Sequence, residues 1–248
     1  MLNLSLRPLI AAFIFLTRIP MPKLDDVKPE DSGRALAYFP IVGLAIGLLL
    51  FFIALLLPLT HLLLAAVLLT FWVFITGGLH IDGLADSADG WLGGVTDKQR
   101  SLDIMKDPLC GSAALMTVGS LLILKFAALA TILQQETFIA LLFAPILGRC
   151  VPLILFLTTP YVRKEGLAQH FVQHSSKPAI YSSLLCIFVI SFILLNIQQF
   201  IIMLILSGLC LLGLRYLMMK RLDGSTGDTN GAAIEIIEVT VLIALAAI

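Results

Sequence analysis

An all-α, polytopic integral membrane bundle is the fold class this sequence predicts, and three observations predict it. Of its 248 residues 59% are hydrophobic and 13% charged. With a mean hydropathy of +1.03 the chain is far more apolar than a soluble domain of its length. The apolar residues gather into runs close to the roughly 20 residues that a bilayer core requires. The loops between those runs alternate, one rich in charge and the next nearly free of it, as in a chain that crosses a membrane repeatedly. The expectation is a single membrane-embedded domain over residues 1–248. It would hold about seven transmembrane helices, an N-terminal interfacial or re-entrant helix and a short cytoplasmic amphipathic helix.

Taken in order, Pro8 to Leu16 is an apolar stretch between Arg7 and Arg18, too short to span and suited to an interface. A signal peptide is the competing reading, but Arg18-Ile19-Pro20 follows the apolar core directly, where a small-residue cleavage site would be needed. Pro20, Pro22 and Pro29 stiffen the next loop. Glu30 and Asp31 then stand just ahead of the first span, either complementing a helix N-terminus or contacting a substrate. The expected spans are Ala35 to Leu59, Leu62 to Leu79, Gly111 to Leu133, Phe138 to Thr159, Ile180 to Leu195, Phe200 to Met219 and Ala232 to Ile248. Gly43 and Gly47 make a small-xxx-small pair, which predicts close packing of the first span on a neighbour.

Every loop Lys or Arg falls on one side, so the positive-inside rule makes that side cytoplasmic and sends the C-terminus out. Of the 16 acidic residues only Glu136 maps to the outer side, so any chemistry should use cytoplasmic substrates. Cys110, Cys150, Cys186 and Cys210 show no metal-type spacing and read as packing thiols.

The densest chemistry lies in His80 to Gly94, HIDGLADSADGWLGG. Asp82, Asp86 and Asp89 are spaced i, i+4 and i+7, so a helix would place all three on one face. Three like charges at the edge of an apolar run repel one another unless a cation sits among them. Carboxylates without nearby Cys suit Mg²⁺ or Mn²⁺, and Mg²⁺ usually shares its shell with substrate phosphates. A solvated acidic loop is the plainer alternative.

Downstream, Thr96 and Gln99 suggest a capping box opening a surface helix to about Asp107, ended by Pro108. Its Arg100 and Lys106 lie close in sequence to the aspartates and are candidates for binding a diphosphate; Lys98 could equally meet anionic lipid. Arg149 lies in mid-span between Pro145 and Pro152, where a charge requires a partner: a core acid from another helix, or a substrate phosphate. Lys125 is nearer the outer end, where it could snorkel. The last charged loop, DGSTGDTNGA, reads as flexible, with Asp228 between Gly227 and Gly231 able to wrap a ligand. It leads into a helix carrying Glu235 and Glu238 on one face. A second acidic cluster on the same side as the first makes a shared or two-metal site plausible.

The ordered set FLTRIP, YFPIVG, HIDGLADSADG, IMKDPLCGSAA, Gly148-Arg149 and GDTNGA closely resembles the cobalamin 5′-phosphate synthase, or adenosylcobinamide-GDP ribazoletransferase, family across nearly the whole chain. The resemblance implies the last assembly step of the cobalamin nucleotide loop at the inner membrane: α-ribazole or its 5′-phosphate joins adenosylcobinamide-GDP, GMP leaves, and Mg²⁺ is required. On this reading Asp82, Asp86, Asp89 and Asp228 are metal ligands. Asp82, Asp89, Lys106 and Arg149 are the catalytic candidates, with Asp89 serving as ligand or base. Arg18, Glu30, Asp31, Arg100, Lys106 and Arg149 are the substrate-binding candidates. The implied partners are the two small-molecule substrates and the lipid bilayer, with no nucleic acid; a homo-oligomer, or association with other cobalamin-assembly enzymes, is left open. Two rivals remain: another membrane transferase of diphosphate substrates, of CDP-alcohol phosphotransferase or prenyltransferase type, and a divalent-cation transporter lined by the three aspartates.

Overall fold

A computed structural model describes residues 6–24, 29–163, 171 and 174–247. The described elements are all helical, apart from one isolated β-bridge: α1 (Arg7–Leu16), α2 (Pro29–Ala35), a 3₁₀ turn (Leu36–Tyr38), α3 (Phe39–Leu56), α4 (His61–Ile75), α5 (Leu79–Gly93), α6 (Lys98–Ile104), α7 (Ser112–Gln134), α8 (Ile139–Thr158), α9 (Lys177–Leu194), α10 (Ile197–Leu222) and α11 (Gly227–Ala246). Six stretches are long and apolar enough to cross a membrane: Asp31–Leu56, α7, α8, α9, α10 and α11. A seventh span exists if α4 and α5 count as one bent unit. The all-α, multi-pass expectation therefore holds. The 10-residue α1 is the short apolar helix expected at the N-terminus.

Burial sorts the helices. In α8 and α11 72% and 78% of the spanning window is buried, against 11% in α9 and in α10, so α8 and α11 are the axis and the latter pair is the rim. Glycine lets the axis pack closely. A Cβ on Gly47 would lie 2.8 Å from Leu142 Cα, and one on Gly43 would run into the backbone of Pro145, so α3 lies directly on α8 as the small-residue pair predicts. Pro145 and Pro152 do not interrupt α8, although each removes a backbone donor.

The span expected to reach Leu79 instead stops at Ile75. Thr76, Gly77 and Gly78 turn the chain, and α5 leaves at 86° to α4. Gly77 and Gly78 have φ of 66° and 70°, the left-handed region open to glycine at little cost. Helix α5 therefore does not continue the span. It crosses the end of the bundle, packed on α11, α7 and α6.

The core is charged at its centre. Lys125 of α7 donates to Glu235 at 2.9 Å and to Glu238 at 2.5 Å, and its ammonium lies 3.9 Å from the ring centroid of Trp72. Arg149 of α8 donates through Nη1 to the other oxygen of Glu238. All four charged side chains are at most 2% exposed. One expectation is corrected here: Lys125 does not snorkel. Glu235 and Glu238 lie two to three turns inside α11, which begins at Gly227. Gly148 is also accounted for, because a Cβ there would lie 2.7 Å from Glu238 Cγ.

Candidate active site

The site forms where α5 crosses the N-terminus of α11. Ser225 and Thr226 precede that helix. Thr226 caps it reciprocally with Thr229, the Thr226 side chain accepting from Thr229 N at 3.2 Å and Thr226 N donating to Thr229 Oγ1 at 2.8 Å. The segment GDTNGA is therefore a helix start and not a flexible loop. Asp228 sits in the first turn, where the positive end of the dipole favours a carboxylate. Close approach of the two helices again depends on glycine: a Cβ on Gly83 would lie 2.7 Å from Asp228 O, and one on Gly231 3.3 Å from His80 Cα.

A parallel bridge between Tyr161 and Ser225 brings in a residue the sequence did not single out. Val162 N donates to Ser225 O at 2.9 Å and Ser225 N to Pro160 O at 2.8 Å, and this places Arg163 Nη2 2.6 Å from Asp228 Oδ2. In sequence Arg163 was no more than the first residue of a basic loop; its partner lies 65 residues on, and no local spacing announces the pairing. Asn230, inside the GDTNGA motif, is likewise a site residue that sequence reasoning passed over.

Two cavities meet here. One, of about 230 Å³, is lined by Asp82, Asp228, Arg163, His80 and Asn230 at its polar side and by aromatic residues behind. The other is a broader groove of about 720 Å³ between α5 and α7, lined by Arg18, Gly77, Asp82, Ala85 and Cys110 among others. Asp82 lines both. Arg18 is held by its own N–H, which donates to Ile75 O at 2.7 Å, and its guanidinium lies against Gly77, where any Cβ would collide with it.

The i, i+4, i+7 aspartates do share α5, but their surroundings differ. Asp86 feels burial first, then the charges of Asp82 and Asp228, and these push its carboxyl up to about 6 despite the opposing pull of Arg163. Asp89 is committed elsewhere: its Oδ2 accepts from Gly111 N at 2.6 Å and its Oδ1 from Ala114 N at 2.9 Å, so it caps α7. A Cβ on Gly111 would lie 2.6 Å from that carboxylate. Among the described residues no three His, Cys, Asp or Glu side chains stand close enough together to hold a metal ion.

The remaining expected site residues lie apart from the cavities. Arg149 is fully buried against Glu238 and lines neither cavity, so the core acid, and not a phosphate, is its partner in this structure. Arg100 and Lys106 are exposed; Arg100 Nε donates to Gly93 O at 3.2 Å. The helix that carries Arg100 spans Lys98–Ile104, with Lys106 beyond its end, and is capped by the side chain of Asp97, which accepts from Gln99 N and Arg100 N, in place of the Thr96 box reaching Asp107. Lys98 pairs with Asp223 at 2.8 Å. Asp31 accepts from Arg7 Nε at 3.0 Å and ties α2 to α1. The Glu30 side chain lies outside the described residues.

Helices long and apolar enough to span, with a bent helix crossing one end of the bundle beside two cavities, define a multi-pass membrane protein. Comparison with known proteins narrows this. The cobalamin-5-phosphate synthase family matches residues 8–246, and the chain belongs to that family, a membrane transferase of cobalamin biosynthesis. It is 44% identical to the adenosylcobinamide-GDP ribazoletransferase of Pseudomonas fluorescens (strain SBW25), over 96% of this chain and 99% of that protein. The ribazoletransferases of Acinetobacter baumannii (strain ACICU) and Stutzerimonas stutzeri (strain A1501) are each 45% identical, covering 95% and 96% of this chain and 95% and 97% of their own lengths. No solved structure matches.

Proposed function

We propose that this chain transfers the adenosylcobinamide phosphate moiety of adenosylcobinamide-GDP to α-ribazole or α-ribazole 5′-phosphate, with release of GMP and with Mg²⁺ as cofactor. The observation that carries this reading is Asp82, a carboxylate shared by two cavities and so available to two substrates at once. Near-full-length similarity to proteins named for this reaction supports it.

The donor set suits a hard divalent cation. Asp82, Asp86 and Asp228 offer carboxylate oxygens; burial first, and then the charges of the other two, lift Asp86, and a cation would relieve the repulsive part. These three would hold it after side-chain rotation. Bound there, Mg²⁺ would neutralise charge on the diphosphate.

The chain's own groups do the rest. Arg18, on the groove beside Asp82, offers forked N–H donors to the diphosphate. The acceptor hydroxyl attacks the phosphorus that carries the cobinamide; the new P–O bond forms as the bond to the GMP oxygen breaks, and GMP leaves as a phosphate that needs no proton. Asp82, through the carboxylate oxygen it would not turn to the cation, takes the hydroxyl proton, because it lines both cavities. The distribution of charged loops supports a site on the cytoplasmic side of the inner membrane. Cysteine labelling at Lys98 from the cytoplasmic side alone tests that placement.

The deciding experiment is GMP release from adenosylcobinamide-GDP by purified protein. The reading requires release that depends on both the ribazole acceptor and Mg²⁺. Release without acceptor, release unaffected by chelation, or no release at all would overturn it.

A further inference from the structure

The two cavities differ in character, and the difference assigns the substrates. The smaller is walled by five aromatic side chains, Phe15, Phe39, Phe156, Tyr161 and Phe171. Their rings already contact one another: Phe15 and Phe171 centroids are 4.8 Å apart, Phe39 and Phe171 5.4 Å, Phe156 and Tyr161 6.0 Å. At about 230 Å³ the space falls below the ~300–1,000 Å³ of pockets that take drug-sized ligands. It is too small for a corrinoid and suited to one flat bicyclic ring. Among the described residues, His80 and Asn230 line the same cavity with both ring nitrogens of the one and the amide oxygen of the other lacking a hydrogen-bond partner. Buried polar atoms without partners are uncommon in folded proteins and call for a ligand or water.

Arg163 lines the same cavity. Its counter-ion is the Asp228 carboxylate, and the pair is only about one-fifth exposed. A phosphate is the group best able to displace a carboxylate from a guanidinium, since it offers more oxygens and more charge. Such an exchange would also free Asp228 from its ion pair.

We infer that the aromatic cavity is the acceptor subsite: it takes the planar heteroaromatic base of the ribazole nucleoside, while Arg163 binds the 5′-phosphate and so sets the preference between the phosphorylated and unphosphorylated acceptor. The open groove with Arg18 is left to the far larger donor. This assignment rests on the transferase reading above. The acceptor hydroxyl then reaches the diphosphate across Asp82, the one aspartate of α5 that both cavities share.

The test is steady-state kinetics of GMP release with each substrate varied in turn. Phe156→Leu keeps apolar volume but removes a stacking face; KM for acceptor should rise about tenfold with KM for donor unchanged. Arg163→Gln should raise KM for α-ribazole 5′-phosphate by tenfold or more while leaving that for α-ribazole nearly unmoved. In the unmutated protein, benzimidazole, the bare ring system, should inhibit competitively against acceptor and not against donor. That arm does not depend on any variant folding. Competition with donor, a donor-only effect of Phe156→Leu, or equal effects of Arg163→Gln on both acceptors would overturn the assignment. Absence of acceptor-dependent GMP release from the unmutated protein would instead sink the underlying transferase reading.

Discussion

Arg149→Met separates a core ion pair from a phosphate ligand. Four buried charges balance in the structure, Lys125 and Arg149 against Glu235 and Glu238, and the substitution leaves Glu238 with a single cation. Breaking a buried pair by removing one partner costs about 3–5 kcal/mol. At about 1.4 kcal/mol per factor of ten, the folded-to-unfolded ratio should fall by two to three and a half orders of magnitude. Thermal unfolding in detergent reads this directly. The double variant Arg149→Met with Glu238→Gln restores neutrality, leaving Lys125 with Glu235, and should recover most of the lost stability; a double-mutant cycle gives the coupling. Residual turnover per folded molecule of Arg149→Met should stay within tenfold of the parent, because Arg149 lines neither cavity. A single variant that unfolds at the parental temperature yet is inactive would refute the argument and return Arg149 to the substrate.

Two further predictions address the carboxylates. With its carboxyl at about 6, Asp86 is protonated below that pH and charged above it, so Mg²⁺ must displace a proton to bind at low pH. Apparent Mg²⁺ affinity, from the Mg²⁺ dependence of GMP release, should be flat above about pH 7 and weaken about tenfold per unit below 6; an affinity unchanged from pH 7 to pH 5 would remove Asp86 from the metal set. Asp89→Ala deletes the acceptor of two backbone N–H groups at the start of α7 and should lower stability by about 1–2 kcal/mol, whereas Asp89→Asn, which keeps one acceptor oxygen, should lose less. If Asp89→Ala unfolds like the parent while losing all turnover, Asp89 belongs to the chemistry and not to the cap.

What the sequence conveyed well was whatever depends on neighbours along the chain. Apolar runs near 20 residues set the spans, and the i, i+4, i+7 aspartates do lie on one helix. Misreadings arose where local pattern and tertiary contact diverge. Leu79 prolonged the second apolar run, yet Gly77 and Gly78 had already turned the chain at a place hydropathy does not register. Glycines around Asp228 suggested a loop, while the reciprocal Thr226 and Thr229 cap starts a helix there. Partners of Arg149, Asp89 and Arg163 lie 89, 22 and 65 residues away in the chain. No spacing rule reaches that far.

Those distant partners explain why charges occupy the core. Asp228 and Asn230 at the start of α11 face the cavity, and Glu235 and Glu238 lie seven and ten residues further along the same helix, about 10–15 Å at 1.5 Å per residue. Lys125 and Arg149 grip those glutamates from α7 and α8. An all-leucine seam would hold α11 as firmly but would tolerate sliding, because apolar contacts are non-directional. Ion pairs do not: a shift of one turn would part both glutamates from their cations. Gly83 adds a second stop, since its missing Cβ is where Asp228 O approaches. The core charges therefore fix the height at which Asp228 meets Asp82 and Asp86. On this argument the neutral double variant, stable but held in register by the Lys125–Glu235 pair alone among the core charges, should give up some turnover even though neither altered residue touches a cavity.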